Sequence, residues 1–318
     1  MIESIKNKVL DGGHIDEGEA TYLYTLKDKP SLYSSAEQIT KRNMSKCFDM
    51  CSIINAKSGR CGEDCHWCAQ SIFNNTGCKT YELMDSDTIL KQAGYCQAQG
   101  VKRFSIVCSG GKSTKNEIKK ICSTIEAIRN NTNLKVCASL GLLDKDDLKQ
   151  LQSSGLGRYH CNLESASSHF VKVCSTHTTA QKLKTLGYAK EIGLEVCSGG
   201  IIGMGESAKQ RIELAFELKN AEVDSVPINI LNPIKGTPLE NQKGLTDEDI
   251  LTTLAVFRFI LPKTSLRFAG GRRTLSSQSV QKAMRIAVNS AIVGDMLTTL
   301  GNDIKRDKEL IIRAGYEL

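Results

Sequence analysis

Cys61, Cys65 and Cys68 form a C-x3-C-x2-C run within the stretch CGEDCHWC. Three thiolates at this spacing fold around one corner of a cubane. They can hold three irons of a [4Fe–4S] cluster and leave the fourth iron open to a substrate chelate. Zinc is the competing occupant, but a closed zinc site needs four ligands. His66 could be recruited, yet no second Cys/His pair follows at ribbon or finger spacing. Plain structural cysteines fit poorly, because the loop is polar and thiols there would oxidise.

The run follows an apolar, β-rich stretch at 50–56, the first of eight. The others lie at 103–107, 134–139, 158–163, 194–198, 226–231, 265–269 and 290–293. Helical patterns fall between them at 87–99, 116–129, 144–153, 180–192, 207–220, 247–261 and 277–287. Asp85 and Ser86 can cap the first of these helices and Gly100 can end it; Gly155 and Gly193 follow their helices in the same way. Eight βα units in series predict an α/β fold, a parallel sheet closed as a (β/α)8 TIM-type barrel or a partly open relative. The barrel would occupy 46–318, with a helical segment over 1–45 covering its bottom or side. A doubly wound sheet would carry a glycine-rich dinucleotide loop after its first strand. Ser58, Gly59, Arg60 and Cys61 stand there instead. In a barrel, the loop after the first strand lies at the C-terminal face, where barrel chemistry is found.

The 318 residues, 40% hydrophobic and 24% charged, suffice for a large core in a soluble chain. A net charge of +7 without a basic run or interleaved aromatics argues against nucleic-acid binding. No stretch is apolar enough to span a membrane, and residues 1–10 carry Glu3, Lys6 and Lys8 rather than a signal-peptide core. The expected compartment is the cytoplasm. There, the 13 cysteines are not expected to pair as disulfides. All lie between Cys47 and Cys197, as they would if several converged on one site.

The triplet after a first strand resembles the radical S-adenosylmethionine (radical SAM) superfamily. The resemblance implies that the open iron binds the amino and carboxylate groups of SAM. One-electron reduction then gives methionine and a 5′-deoxyadenosyl radical that abstracts hydrogen from an unactivated carbon. Trp67 stands where the superfamily has an aromatic residue, near the adenine.

Five blocks narrow the resemblance. Residues 55–71 (NAKSGRCGEDCHWCAQS), 159–164 (YHCNLE), 196–206 (VCSGGIIGMGE), 226–231 with 235–239, and 266–272 (LRFAGGR) are similar to blocks of the biotin synthases, in family order. The family inserts sulfur between C6 and C9 of dethiobiotin and consumes two SAM molecules. The sulfur is thought to come from a second cluster deeper in the barrel, in most members a [2Fe–2S] unit held by three cysteines and an arginine. By position, Cys137, Cys197 and Arg267 match three of those ligands. They fall on odd-numbered strands, so inward side chains can share a layer. An anionic cluster is a sensible partner for a buried guanidinium; a salt bridge to a barrel carboxylate is the alternative for Arg267.

The fourth position departs from the pattern. Ser105 stands where many members have cysteine, and a serine hydroxyl is a poor match for a thiolate on iron. Some anaerobe-type members resemble this variant and carry a different auxiliary cluster. Either Ser105 binds as an alkoxide or leaves an iron open to extra sulfide, or Cys108 or Cys161 swings in. Strand parity puts one of Cys161 and Asn162 outward. Cys174 has no assigned role, and His160, His169 and His177 show no trusted metal spacing. Lys57, Asn162 and Asn229 match positions that bind dethiobiotin or the methionine end of SAM, and Glu164 a carboxylate near the SAM ribose. A barrel-end ion pair would also explain Glu164. The glycines at 199, 200, 203 and 205 would let backbone pass close to SAM or simply make a tight turn. Implied partners are dethiobiotin, SAM, a one-electron donor such as flavodoxin or ferredoxin, and a second copy in a homodimer. The competing readings are another radical SAM enzyme of the same subgroup, a hydrogenase-cofactor maturase or a lysine-rearranging enzyme, and a non-catalytic metal-binding protein. The maturase or lysine-rearranging type would not need Cys137, Cys197 and Arg267 together, and a metal knuckle needs no barrel.

Overall fold

The computed structural model describes residues 1–297 and 303–318. The eight apolar runs become parallel strands, and a ninth strand, β6, follows the fifth run: β1 (Asp49–Lys57), β2 (Arg103–Cys108), β3 (Lys135–Ser139), β4 (Arg158–His160), β5 (Glu195–Cys197), β6 (Gly200–Ile202), β7 (Ser225–Ile230), β8 (Ser265–Phe268) and β9 (Ser290–Ile292). Their order is β5-β4-β3-β2-β1-β9-β8-β7-β6, and a β5–β7 pairing closes the sheet. β5 and β6 are successive pieces of one stave, so the barrel has the expected eight. The stave breaks at Ser198 and Gly199, where neighbouring backbone presses in. A Cβ on Gly199 would lie 1.9 Å from the Pro227 carbonyl oxygen, and one on Gly200 would lie 2.5 Å from that of Glu164. The protein's own chain therefore sets the need for glycine at both positions.

The fourth run forms a ladder only over Arg158–His160. Beyond it, Glu164 takes the left-handed conformation at φ 71°. Its N–H donates to the Gly199 carbonyl at 3.0 Å, and its own carbonyl accepts from the Ile201 N–H at 2.8 Å. The chain leaves strand geometry, and strict alternation of Cys161 and Asn162 ends with it.

The helices begin and end where their caps require. Asp85 accepts from the Thr88 N–H at 2.8 Å and starts α4 (Ser86–Ala98). Reciprocal capping boxes start α5 (Lys115–Asn131), α8 (Thr179–Glu191), α9 (Ala208–Asn220) and α10 (Asp247–Ile260). Gly100, Gly155 and Gly193 follow their helices at positive φ. The remaining helices are α6 (Lys145–Ser153), the single turn α7 (Ser167–Phe170), α11 (Ser277–Ile286) and α12 (Ile304–Arg313).

Three helices precede the barrel, α1 (Ile2–Leu10), α2 (Glu17–Thr25) and α3 (Lys29–Asn43), and they pack on its side against α9, α10 and α11. Leu23, Leu32 and Ile39 are fully buried in that interface. The extra layer explains why every residue from Ile250 to Ile260 of α10 is buried. A helix covered on both faces can be apolar all round.

Inside this layer, Arg258 has no exposed surface and no carboxylate partner among the described residues. Its guanidinium donates to the carbonyls of Leu261, Pro262, Thr264 and Ala287 and to the Asn289 side-chain oxygen. It ties the end of α10 to the entries of β8 and β9. Arg258→Met would strand these acceptors at a cost of about 3 kcal/mol or more. Thermal unfolding of the apo chain checks this: the variant is expected to melt well below the parent, and an unchanged midpoint contradicts the role.

Candidate active site

Along β1, Asp49, Cys51 and Ile53 alternate toward the barrel axis, and β2 does the same with Arg103, Ser105 and Val107. The register sets Ser105 level with Cys137, and Cys137 level with Arg158. Cys197 sits beside Ser225, and Arg267 beside Pro227 and Ser290. These side chains meet in a barrel cavity of about 340 Å³. A second cavity of about 200 Å³ adjoins it, lined by Cys61, Cys65, Cys68, Cys108 and Cys161. Trp67, Cys68, Asn162 and Glu164 border both.

The triplet loop is fastened from several sides. The Cys61 N–H donates to the Gln70 carbonyl at 3.0 Å, and the Ile72 N–H to the Cys61 carbonyl at 2.9 Å. The Asn74 amide donates to the carbonyls of Cys65 and Cys68 at 3.1 and 2.8 Å. Trp67 meets the Phe170 ring edge-on at 6.2 Å. Burial, reinforced by Cys174 and Cys68, pushes the Cys65 thiol up, and burial pushes Cys68 up to about 11. A metal bound through these thiols would therefore displace their protons. Cys174 lies 3.7 Å from Cys65, and His177 3.4 Å from Cys174. Cys65, Cys174 and His177 offer ligand atoms within 4.8 Å of one another, one short of a closed zinc site. His177 is also engaged by Glu63 at 2.6 Å.

The walls of the two cavities carry polar groups on fixed backbone. Asn162 accepts from the Gly199 N–H at 2.9 Å, and its amide points to Glu164 at 3.3 Å. Asn229 accepts from the Gly270 N–H at 2.9 Å and donates to the Gly200 carbonyl at 3.3 Å. Burial raises the Glu164 carboxyl, against the pull of Lys182 and His160. Glu164 forms no ion pair among the described residues, so the barrel-end ion pair is not its explanation there. His160 borders both cavities, and burial lowers it to about 4, so it is neutral. Lys57 lines neither cavity. It pairs with Glu117, the capping-box residue of α5, at 2.7 Å.

At the N-terminal end of the staves three guanidiniums share one carboxylate. Arg267 ion-pairs with Asp49, and Arg103 and Arg158 approach it at 3.8 and 4.0 Å. Burial works to raise the Asp49 carboxyl, but Arg267, Arg103 and Arg158 together hold it below its ordinary range. The salt bridge expected as the alternative for Arg267 thus exists. It does not use up the positive charge: among the described residues only Glu195, at 2.7 Å from Arg158 and 3.4 Å from Arg103, joins Asp49 in this layer, two carboxylates against three guanidiniums. The Arg103 Nε, at 3.8 Å from Asp49, is buried without an acceptor at hydrogen-bond distance among the described residues, and the Nη1 lies 3.6 Å from the Cys137 sulfur. Buried cationic surplus beside thiols fits an anionic iron–sulfur cluster.

The structure thus brings Ser105, Cys137, Cys197 and Arg267 to one cavity and the triplet to the next. Cys108 and Cys161 fall on the triplet's side. Sequence reading passed over Asp49, Cys51, Arg103 and Arg158. Their signal was parity: Asp49 and Cys51 share the phase of Ile53 on β1, and a strand that opens on arginine is unusual.

Residues 56–218 match the radical SAM superfamily, and residues 227–317 the Biotin and Thiamin Synthesis associated domain. Biotin synthase of Parabacteroides distasonis is 47% identical over 317 residues, covering 100% of this chain and 97% of the relative. Biotin synthase of Clostridioides difficile is 47% identical, covering 100% and 99%. Among solved structures, methylornithine synthase superposes with a TM-score of 0.85 at 17% identity, covering 98% of this chain and 96% of that one. A maturase of the [FeFe]-hydrogenase gives 0.85 at 15% identity, covering 99% and 74%. Such distant likenesses carry the barrel fold alone, whereas the full-length relatives carry the family: the chain belongs to the biotin synthases of the radical SAM superfamily.

Proposed function

We propose that this protein inserts sulfur at C6 and C9 of dethiobiotin to form biotin, with SAM as cosubstrate. The observation that carries the reading is the pair of adjoining cavities, one with the cysteine triplet and one with Cys137, Cys197 and Arg267. When bound, the triplet's [4Fe–4S] cluster supplies the electron that cleaves SAM, and an auxiliary iron–sulfur cluster, [2Fe–2S] or a variant of it, supplies the sulfur.

The chain's own residues divide the remaining work. Cys61, Cys65 and Cys68 hold the first cluster, and the bonds from Asn74 keep their loop in shape. Trp67 offers an aromatic face for the adenine. Glu164 accepts from the ribose hydroxyls, held by a backbone conformation that costs of order 1–3 kcal/mol. Asn162, which borders both cavities, and Asn229, in the wall of the larger one, present amide groups suited to a ureido ring that both donates and accepts. Lys57 reaches a bound carboxylate only by leaving Glu117. Cys137, Cys197 and Arg267, with Ser105 in the same wall, surround the sulfur source. Apolar Ile53, Val107, Pro227 and Ile292 line the rest of that cavity and keep water from a reactive carbon.

The reading extends to a one-electron donor such as flavodoxin or ferredoxin, to a homodimer and to the cytoplasm. All thirteen cysteines are free thiols, which suits a reducing compartment. No helix among the described residues is long and apolar enough to cross a membrane. The reading also treats 1–45 as a helical segment appended to a 46–318 barrel.

Cys65→Ala is expected to abolish reductive formation of 5′-deoxyadenosine, because two thiolates do not hold a site-differentiated cluster. Anaerobic chromatographic assay measures it, and near-parental cleavage would refute the triplet's role. Cys197→Ala is expected to bind SAM at the first cluster and make no biotin. Biotin formation at the parent rate would remove Cys197 from the mechanism.

A further inference from the structure

The auxiliary site lacks a thiol at Ser105, and neither Cys108 nor Cys161 lines the cavity that holds Cys137 and Cys197. A different cysteine does. Cys51 lies on β1, the stave next to Ser105, and its side chain faces the same cavity. We propose that Cys51 supplies the missing thiolate, so that Cys51, Cys137 and Cys197 ligate the auxiliary cluster beside Arg267. The inference rests on the reading that this cavity holds such a cluster.

The register locates Cys51. It is level with Arg103 on one side and with Ile292 on the other. Ser105 is level with Ile53, so Cys51 lies one inward layer lower, toward Asp49. Two residues along a strand and one strand across amount to about 8 Å between backbones, so no small shift of Cys51 reproduces the family position. The cluster itself must reach lower on this wall. That direction is where the groups suited to an anion stand. The Arg103 guanidinium bridges from the Cys51 level toward the Cys137 sulfur, 3.6 Å from its Nη1. Arg267 reaches across from β8 and donates to the backbone carbonyls of Asp49 and Ala291, at 3.1 and 3.2 Å, on the two strands flanking this spot.

Two further observations bear on the thiol. Cys51 is buried, and among the described residues its sulfur has a single weak hydrogen bond, 3.6 Å to the carbonyl of its own neighbour Ser52. No strong partner holds it away from iron. The adjacent Arg103 Nε is buried with no acceptor at hydrogen-bond distance among the described residues; the Asp49 carboxylate stands off from it at 3.8 Å. A buried guanidinium nitrogen without an acceptor is rare, and a sulfide or thiolate of a cluster is an acceptor of the right kind. Cys108 and Cys161, by contrast, would have to cross the wall between the cavities.

The test removes the triplet (Cys61→Ala, Cys65→Ala, Cys68→Ala) from the full chain, so that the remaining iron belongs to the auxiliary site. The chain is loaded anaerobically with ⁵⁷Fe and sulfide. Iron and sulfide per chain and the Mössbauer spectrum are then compared for this background and for added Cys51→Ser, Cys51→Ala, Cys108→Ala, Cys161→Ala or Cys197→Ala. Thermal melting of each apo chain monitors folding. The expected result is that both Cys51 variants lose most of the iron or change its spectrum while melting as the background does, and that Cys108→Ala and Cys161→Ala leave both unchanged. Parental iron and spectrum in either Cys51 variant would overturn the assignment, as would an equal loss in Cys108→Ala or Cys161→Ala. Cys197→Ala separates this from the underlying reading. Loss there with retention in the Cys51 variants sinks Cys51 alone, whereas retention in Cys197→Ala sinks the auxiliary site itself.

Discussion

Three guanidiniums and one carboxylate at the closed end of the barrel set the terms for the rest of the interior. Arg103, Arg158 and Arg267 come from staves on both sides of β1, and Asp49 is the point where they meet. Removing any of these charges from water is costly unless an opposite charge stands close. Asp49 and Glu195 satisfy part of the demand. The remainder draws an anionic occupant to the layer above, where the thiols are. The floor is thus both a structural tie across the closure and the electrostatic reason for the placement of the lower cavity.

The fold was largely legible in the sequence because its signals are local. Apolar runs of strand length, capping residues such as Asp85 and Thr114, and terminal glycines such as Gly193 each act within a few residues. The fifth stave's interruption was not, because it depends on the carbonyls of Pro227 and Glu164, far away in the chain. The cysteine triplet was legible for the same local reason as the caps. The lower cavity was read only in part. Cys137, Cys197 and Arg267 came from likeness to a family, so Cys51, which that likeness does not place among the ligands, was invisible to the argument. Inward parity on β1 would have pointed to it. Lys57 shows the opposite failure: position along the chain matched, but the side chain satisfies itself with Glu117.

The polar wall around the two cavities has its own logic. Asn162, Glu164 and Asn229 all fasten to backbone at glycines 199, 200 or 270. The polar groups are therefore carried by main chain that cannot drift without opening a strand pairing. Their orientation costs little to maintain once the barrel is closed. It follows that the wall is as rigid as the sheet, though it lies at the end of strands where loops usually move.

The three leading helices rest on α9, α10 and α11, elements that arise from the last third of the chain. On a ribosome the chain emerges from its N-terminus. Leu23, Leu32 and Ile39 leave the exit tunnel long before the surface that covers them has been translated. β1 waits similarly, since one of its neighbours is β9. The leading helices are therefore seated against elements made after residue 207, and the growing chain holds an uncovered apolar stretch through most of its synthesis. That interval is a window for chaperone capture, and it closes only when the circle of staves does.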